Sequence, residues 1–321
     1  SLGFILSDWE RQTRVGMSIR SKLVSGLLLR PSKFLYRIFR PSPKTLRLII
    51  HPISSVASLL ASPTLRATCE KEDFDGVPGV VFHPIKGSDS RRVLVYLHGG
   101  GYCWGSSKST HRVGLSNFAS ISGMSIYCIE YRLAPENPYP AALEDAIKAW
   151  NSISRRFSES DIILAGDSAG GGLSLALMMS IRDNGARMPD ASILFSPWTD
   201  LTCSSESYST RAKSEPMFPK EAPKDHARNY VPGEIDASIP EISPVNGSFI
   251  GFPRMLILVG DREILLDDSR RVCDKASEDG VDVRMEIWPD MFHDWWLFGL
   301  LVPESRKCLQ KATRWIYLND E

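Results

Sequence analysis

Long apolar runs, paired cysteines, internal repeats and net charge are all missing from this 321-residue chain, and each absence narrows what it can be. No apolar stretch approaches the roughly 18 residues that a bilayer-spanning helix needs. Asp8 and Glu10 follow a short apolar patch at the start, unlike the organisation of a signal peptide, so a cytoplasmic protein is expected. The cysteines Cys69, Cys103, Cys128, Cys203, Cys273 and Cys308 form no CxxC pair, which argues for free thiols in a reducing compartment and against zinc or a redox dithiol. With 38 basic and 38 acidic side chains in balance, the chain lacks the excess of cations that a nucleic-acid partner calls for. No metal or organic cofactor is expected.

What is present begins with Gly166-Asp167-Ser168-Ala169-Gly170-Gly171, between the apolar run Ile162 to Ala165 and the helix-like Leu173 to Met179. A G-x-S-x-G turn between strand and helix forces the serine into a strained conformation at the carboxyl edge of a sheet and exposes its oxygen. The amide of Ala169 sits at the helix N-terminus, where unpaired N–H groups favour a developing negative charge. A second signal lies 67 residues earlier, where Val93 to Leu97 run into His98-Gly99-Gly100-Gly101. This HGGG pattern supplies oxyanion amides in lipases and esterases, here those of Gly99 and Gly100.

These motifs, with Tyr131-Arg132-Leu133-Ala134-Pro135-Glu136, Tyr139 to Asp145 and Ser196-Pro197-Trp198-Thr199-Asp200, give a chain that resembles the GDSAG subgroup of hormone-sensitive-lipase-like esterases. The resemblance runs from about Val77 to the C-terminus. It implies an α/β-hydrolase fold, with a mostly parallel central sheet flanked by helices. Residues before about Cys69 and between about Cys203 and Ile242 match no motif, and the family places its helical cap there. The expected organisation is therefore an N-terminal cap segment over 1–66 and a catalytic domain over 67–321, with a cap insertion at about 203–242.

The alternation of apolar runs agrees with such a sheet. Strands are expected at Val80–Pro84, Val93–Leu97, Ser125–Glu130, Ile162–Ala165, Ser192–Ser196, Met255–Val259 and Val283–Trp288. Helices are expected at about Leu143–Arg156, Ser168–Asn184, Asp267–Asp279 and Pro303–Leu318. Ligands bind at the carboxyl ends of strands in open α/β sheets, where the motifs fall.

Serine is a weak nucleophile at neutral pH and needs a base held by an acid. Of six histidines, only His293 follows the last strand, which fits the chain order Ser, acid, His of this fold. The acid lies in the carboxylate-rich loop Gly260 to Asp268. In the resembled family it is the first residue of an Asp-Pro-Leu-x-Asp pattern, a frame that falls on Glu263, with Asp261 as the alternative. Asp267 and Asp268 are expected to cap the following helix. Asp167 is expected to orient the neighbouring loop, and His98 to fix the glycine loop by a hydrogen bond. Arg132, Glu144 and Asp145 are read as turn and helix-start partners. Tyr102, Trp104, Trp198, Phe292 and Trp295 either line an apolar pocket or pack in the core.

Charge is uneven along the chain: residues 1–50 carry ten Lys or Arg against Asp8 and Glu10, a net +8 that the remainder balances. Leu23, Leu27, Leu28, Phe34, Leu35, Ile38, Phe39, Leu46, Ile49 and Ile50 alternate with these cations as amphipathic helices do. Pro31, Pro41, Pro43, Pro52 and Pro63 are expected to break the segment into short helices whose apolar face covers the site. Attachment to an anionic membrane surface is the less favoured reading.

The resulting expectation is a carboxylic-ester hydrolase acting through an acyl-enzyme on small esters of short to medium acyl chains. Its site is Ser168, Glu263 and His293 with the amides of Gly99, Gly100 and Ala169. An amidase or lactonase would use the same triad, and a ligand-binding receptor on the same fold would turn nothing over. Both a monomer and a homodimer stay open.

Overall fold

The computed structural model describes residues 16–61, 66–87, 89 and 91–318. The first fifteen residues of the expected N-terminal cap, and Pro63, lie outside these. Eight strands form one sheet: β1 (Ala67–Phe74), β2 (Val77–Pro84), β3 (Arg92–Leu97), β4 (Ser125–Ile129), β5 (Asp161–Asp167), β6 (Ala191–Phe195), β7 (Arg254–Gly260) and β8 (Val283–Trp288). Their order is β1-β2-β4-β3-β5-β6-β7-β8, antiparallel where β2 pairs with β1 and β4 and parallel from β4 to β8.

β3, β5 and β6 read as continuous apolar runs because both faces of the sheet are covered. On one side α5 (Ala141–Arg156) and α6 (Ser168–Asp183) bury Trp150, Leu164 and Leu177. On the other, α4 (Arg112–Ser122) and α10 (Pro303–Tyr317) bury Tyr96, Phe118 and Trp296. β1 was not expected from sequence. Its Cys69-Glu70-Lys71-Glu72-Asp73 run belongs to an edge strand that is largely exposed.

Register places the loops that matter. Leu97 pairs with Gly166 across β3 and β5, so the glycine loop and the serine turn leave the sheet side by side. Gly260 pairs with Trp288 across β7 and β8, which brings the loops bearing Glu263 and His293 together. The segment between β6 and β7 carries two short helices, α7 (Ser207–Thr210) and α8 (Ala222–Tyr230).

The N-terminal segment departs from expectation in two ways. α1 (Ile19–Leu23), a π-helical stretch (Val24–Leu29) and α2 (Arg30–Phe39) run on without interruption at Pro31. The π-helical ladder, in which Arg30 N–H donates to Ser25 O, ends just before Pro31, which occupies a first-turn position of α2 where a missing N–H is tolerated. Pro52 lies inside the 19-residue α3 (Pro43–Ala61), on its exposed side, where water can solvate the freed carbonyl. Only Pro41 and Pro43 separate helices. The second departure is that most of the apolar side chains of this segment point outward: of those singled out above, only Leu46 is buried and Ile50 half-buried.

Candidate active site

Ser168 stands between β5 and α6 with φ +51°, the left-handed strain expected of the turn. A Cβ on Gly170 would run into the carbonyl of Leu97, so the close crossing of turn and glycine loop requires glycine there. α6 begins at Ser168, and the Ala169 N–H, in its first turn, has no partner among the described residues.

His293 and Glu263 meet as the chain order implied. His293 Nδ1 is 2.9 Å from Glu263 Oε2, and Glu263 Oε1 accepts from Ser196 Oγ at 2.7 Å and Gly260 N at 2.6 Å. Asp261 is turned elsewhere, its Oδ1 accepting the Asp290 N–H at 2.7 Å. No hydrogen bond joins Ser168 to His293 in this structure. The Nε2 that would serve the serine instead lies 3.0 Å from Asp294 Oδ2. Burial by itself would lower the His293 pKa, but the charge and hydrogen bond of Asp294, then Glu263, raise it well above the ordinary value. Asp294 is raised in turn by burial and by the neighbouring Asp167 charge, against the pull of His293.

Two expectations need correction. Gly99 does not offer its amide to a substrate: its N–H donates to Asp167 Oδ1 at 2.9 Å. The buried Asp167 carboxylate also takes the Tyr96 hydroxyl at 2.6 Å and His111 Nε2 at 3.1 Å, and so ties the start of the glycine loop to the serine turn. The N–H groups of Gly100 and Gly101 have no partner among the described residues. Gly100, at φ +117°, admits no side chain because a Cβ would strike the Trp104 carbonyl. Nor do Asp267 and Asp268 cap α9 (Leu266–Glu278), whose N-cap is Leu265. Their carboxylates reach sideways, Asp268 to the Thr199 and Asp200 amides at 2.9 and 3.0 Å and Asp267 to the Ser207 amide at 2.8 Å. Of the two places left open for the aromatic residues, the core takes Tyr102, Trp198, Phe292 and Trp295, and only Trp104 is partly exposed.

Other expectations agree with the structure. His98 Nδ1 lies 2.8 Å from Gly99 O and its ring stacks on Tyr131 at 4.4 Å. Arg132 binds Asp145 at the start of α5.

Sequence reasoning missed several neighbours of the site. Phe218 sets its ring edge-on to His293 at 4.9 Å. Glu215 is fully buried, its Oε2 has no partner among the described residues, and burial pushes its pKa up to about 7. Both come from the motif-free insertion, so no local pattern announced them. Lys33 of α2 reaches this insertion, its Nζ donating to Ala212 O at 2.7 Å and Glu215 O at 2.5 Å. Arg47 of α3 grips the glycine-loop side through Cys103 O at 2.7 Å and Ala134 O at 2.5 Å. Among the described residues no His, Cys, Asp and Glu cluster could hold a metal ion.

Residues 94–297 match a family described by the alpha/beta hydrolase fold. An acetyl-hydrolase of Streptomyces hygroscopicus is 38% identical over 222 residues, which is 69% of this chain and 74% of that protein. An esterase of Acinetobacter venetianus is 34% identical over 233 residues, 72% of this chain and 77% of its own. A solved esterase from the bacterial hormone-sensitive lipase family superposes with a TM-score of 0.84 at 32% identity, covering 94% of this chain and 98% of that one.

Proposed function

The chain belongs to the hormone-sensitive-lipase-like esterases of the α/β-hydrolase fold, and from that membership we propose that it hydrolyses small carboxylic esters with Ser168 as nucleophile, His293 as base and Glu263 as its orienting acid. The observation that supports the site assignment is the buried Glu263–His293 hydrogen bond of 2.9 Å, on loops that leave the same parallel sheet as the strained serine turn.

In this reading His293 swings from Asp294 to take the Ser168 proton as the oxygen attacks the ester carbonyl. The oxyanion is received by the amides of Gly100 and Ala169, with Gly101 in the place first expected of Gly99. The alcohol leaves with the proton from His293. Water, activated by the same imidazole, then releases the acid from Ser168. Glu263 holds the ring in place and stabilises the imidazolium.

Helices α1 to α3 of the 1–66 segment and the 203–242 insertion act as a cap over the rest of the catalytic domain, residues 67–321. Lys33, Arg47 and Phe218 support this reading, since they tie helix, insertion and site together. Short to medium acyl chains and a cytoplasmic setting belong to the same proposal. An amidase or lactonase would run through the same steps.

A p-nitrophenyl ester series from acetyl to palmitoyl beside matched amides tests the reading. Ester turnover falling towards the longer chains is expected, with Ser168→Ala lowering kcat by roughly a millionfold while the fold is kept. Faster turnover of the amides, or near-normal activity in Ser168→Ala, would overturn it.

A further inference from the structure

The N-terminal helices are amphipathic in the wrong sense for a buried segment. The face of this segment that meets the protein is mixed: Leu29 joins the core and Val24 packs on it, but Ser21 and Ser25 are buried beside them, Ser21 Oγ donates to Glu304 Oε2 at 2.5 Å, and Lys33 binds two carbonyls. α3 buries Leu46 together with polar groups, His51 Nδ1 pairing with Ser109 Oγ at 2.8 Å and Ser58 Oγ donating to Ser109 O at 3.2 Å. The outward faces carry the large apolar groups instead. Ile19 is 78% exposed, Leu27 75%, Phe34 63%, Phe39 72%, Leu48 77% and Ile53 65%. So many large apolar side chains exposed on neighbouring helices mark an interaction site.

Charge says what it meets. Arg20, Lys22, Arg30, Arg37, Arg40 and Lys44 are exposed along these helices, and no Asp or Glu occurs between Glu10 and Glu70. We infer that α1 to α3 form a docking surface for an anionic lipid bilayer, with the apolar side chains sunk at the level of the headgroups and the cations paired with lipid charge. No helix among the described residues is long and apolar enough to cross a membrane, so the segment lies on the surface. A symmetric contact with a second copy fits less well, because it would set these six cations against themselves. The inference rests on exposure and charge alone and is independent of the chemistry proposed for Ser168.

Flotation of the full chain with vesicles of phosphatidylcholine, alone or mixed with phosphatidylserine, tests it. Binding to the mixed vesicles, its absence on neutral ones and its release by high salt are expected. Arg30→Glu with Arg37→Glu should weaken binding by about fivefold or more for each cation lost. Leu27→Ser with Phe34→Ser and Ile53→Ser should weaken it as well. Both variants should keep thermal unfolding and hydrolysis of a short soluble ester as in the parent. Equal binding to neutral vesicles, or none to either, would overturn the inference. So would a wild-type dimer that the serine variant converts to monomer without any vesicle binding, which would assign the face to a second copy.

Discussion

Glu263 holds His293 by one oxygen and is itself held by the other: Oε2 lies 2.9 Å from His293 Nδ1 while Oε1 takes the Ser196 hydroxyl and the Gly260 amide. A glutamate in this position spans the distance with one more methylene than an aspartate and has no freedom left to leave the imidazole. Glu263→Gln should therefore keep the fold and lower kcat by up to about ten-thousandfold, since an amide cannot stabilise the imidazolium and favours the wrong tautomer. Asp261→Asn should be mild, its carboxylate being engaged with the Asp290 amide. Steady-state kinetics beside thermal melts checks both. A severe loss in Asp261→Asn with near-normal Glu263→Gln would reverse the assignment.

Much of this was readable in the sequence because the fold's chemistry is bound to strand ends. Ser168 and the glycine loop each follow an apolar run that is a buried strand, and His293 follows the half-buried edge strand Val283–Trp288. Directions were not readable. Gly99 sits in the glycine motif, yet whether its N–H faces substrate or protein depends on Asp167, which is 68 residues away along the chain. The N-terminal periodicity marked helices correctly, but a pattern cannot say which face is inside. Serines and a lysine with specific partners, Glu304, Ser109 and the insertion carbonyls, turned the polar face inward. Phe218 and Glu215 lie in an insertion with no motif, where only tertiary contact gives them meaning.

The His111–Asp167 pair should matter for stability. Burial would raise Asp167, but the His111 charge with the His111 and Tyr96 hydrogen bonds holds it below the usual carboxylate range. Burial would likewise lower His111, and Asp167 raises it. The depressed Asp167 contributes stability above the unfolded value near 3.9, lost as pH falls through the folded one; the raised His111 contributes below about 6.5, lost as pH rises through its folded value. The gap between wild type and His111→Gln should thus be widest between about pH 4 and 6.5 and shrink on either side. Removing one partner of a buried pair costs up to about 3–5 kcal/mol, reduced here because Tyr96 and Gly99 still serve Asp167. Urea unfolding across pH measures it, and a gap that grows above pH 7 would contradict the argument.

Phe218 packs edge-on to His293 from the insertion, so its removal should alter acyl preference more than chemistry. Phe218→Ala is expected to raise kcat/KM for longer acyl esters relative to acetyl, with a change of roughly 10-fold or less, the usual reach of a few methylenes in an apolar pocket. An unchanged chain-length profile would place the acyl group elsewhere.

Asp294 should set the acidic limb of the pH profile. Its Oδ2 is 3.0 Å from the His293 nitrogen that must accept the serine proton; the Asp167 and Glu263 charges act on Asp294, and Glu215 from the insertion interacts with His293 and Glu263. His293 can act as base only when its Nε2 carries no proton. Because the Asp294 carboxylate raises His293, the limb of kcat/KM should lie above the value near 6.5 of an unperturbed imidazole. Asp294→Asn removes the charge and suits the backbone, since Asp294 sits at φ +50° and asparagine tolerates that region. The limb should then move to lower pH by roughly one unit or more, the size of effect an adjacent opposite charge produces. Glu215→Gln, with its charge farther from Nε2, should move it less. A merely structural role for Asp294 would lower kcat at every pH and leave the limb where it was, and that outcome would remove it from the account of proton transfer.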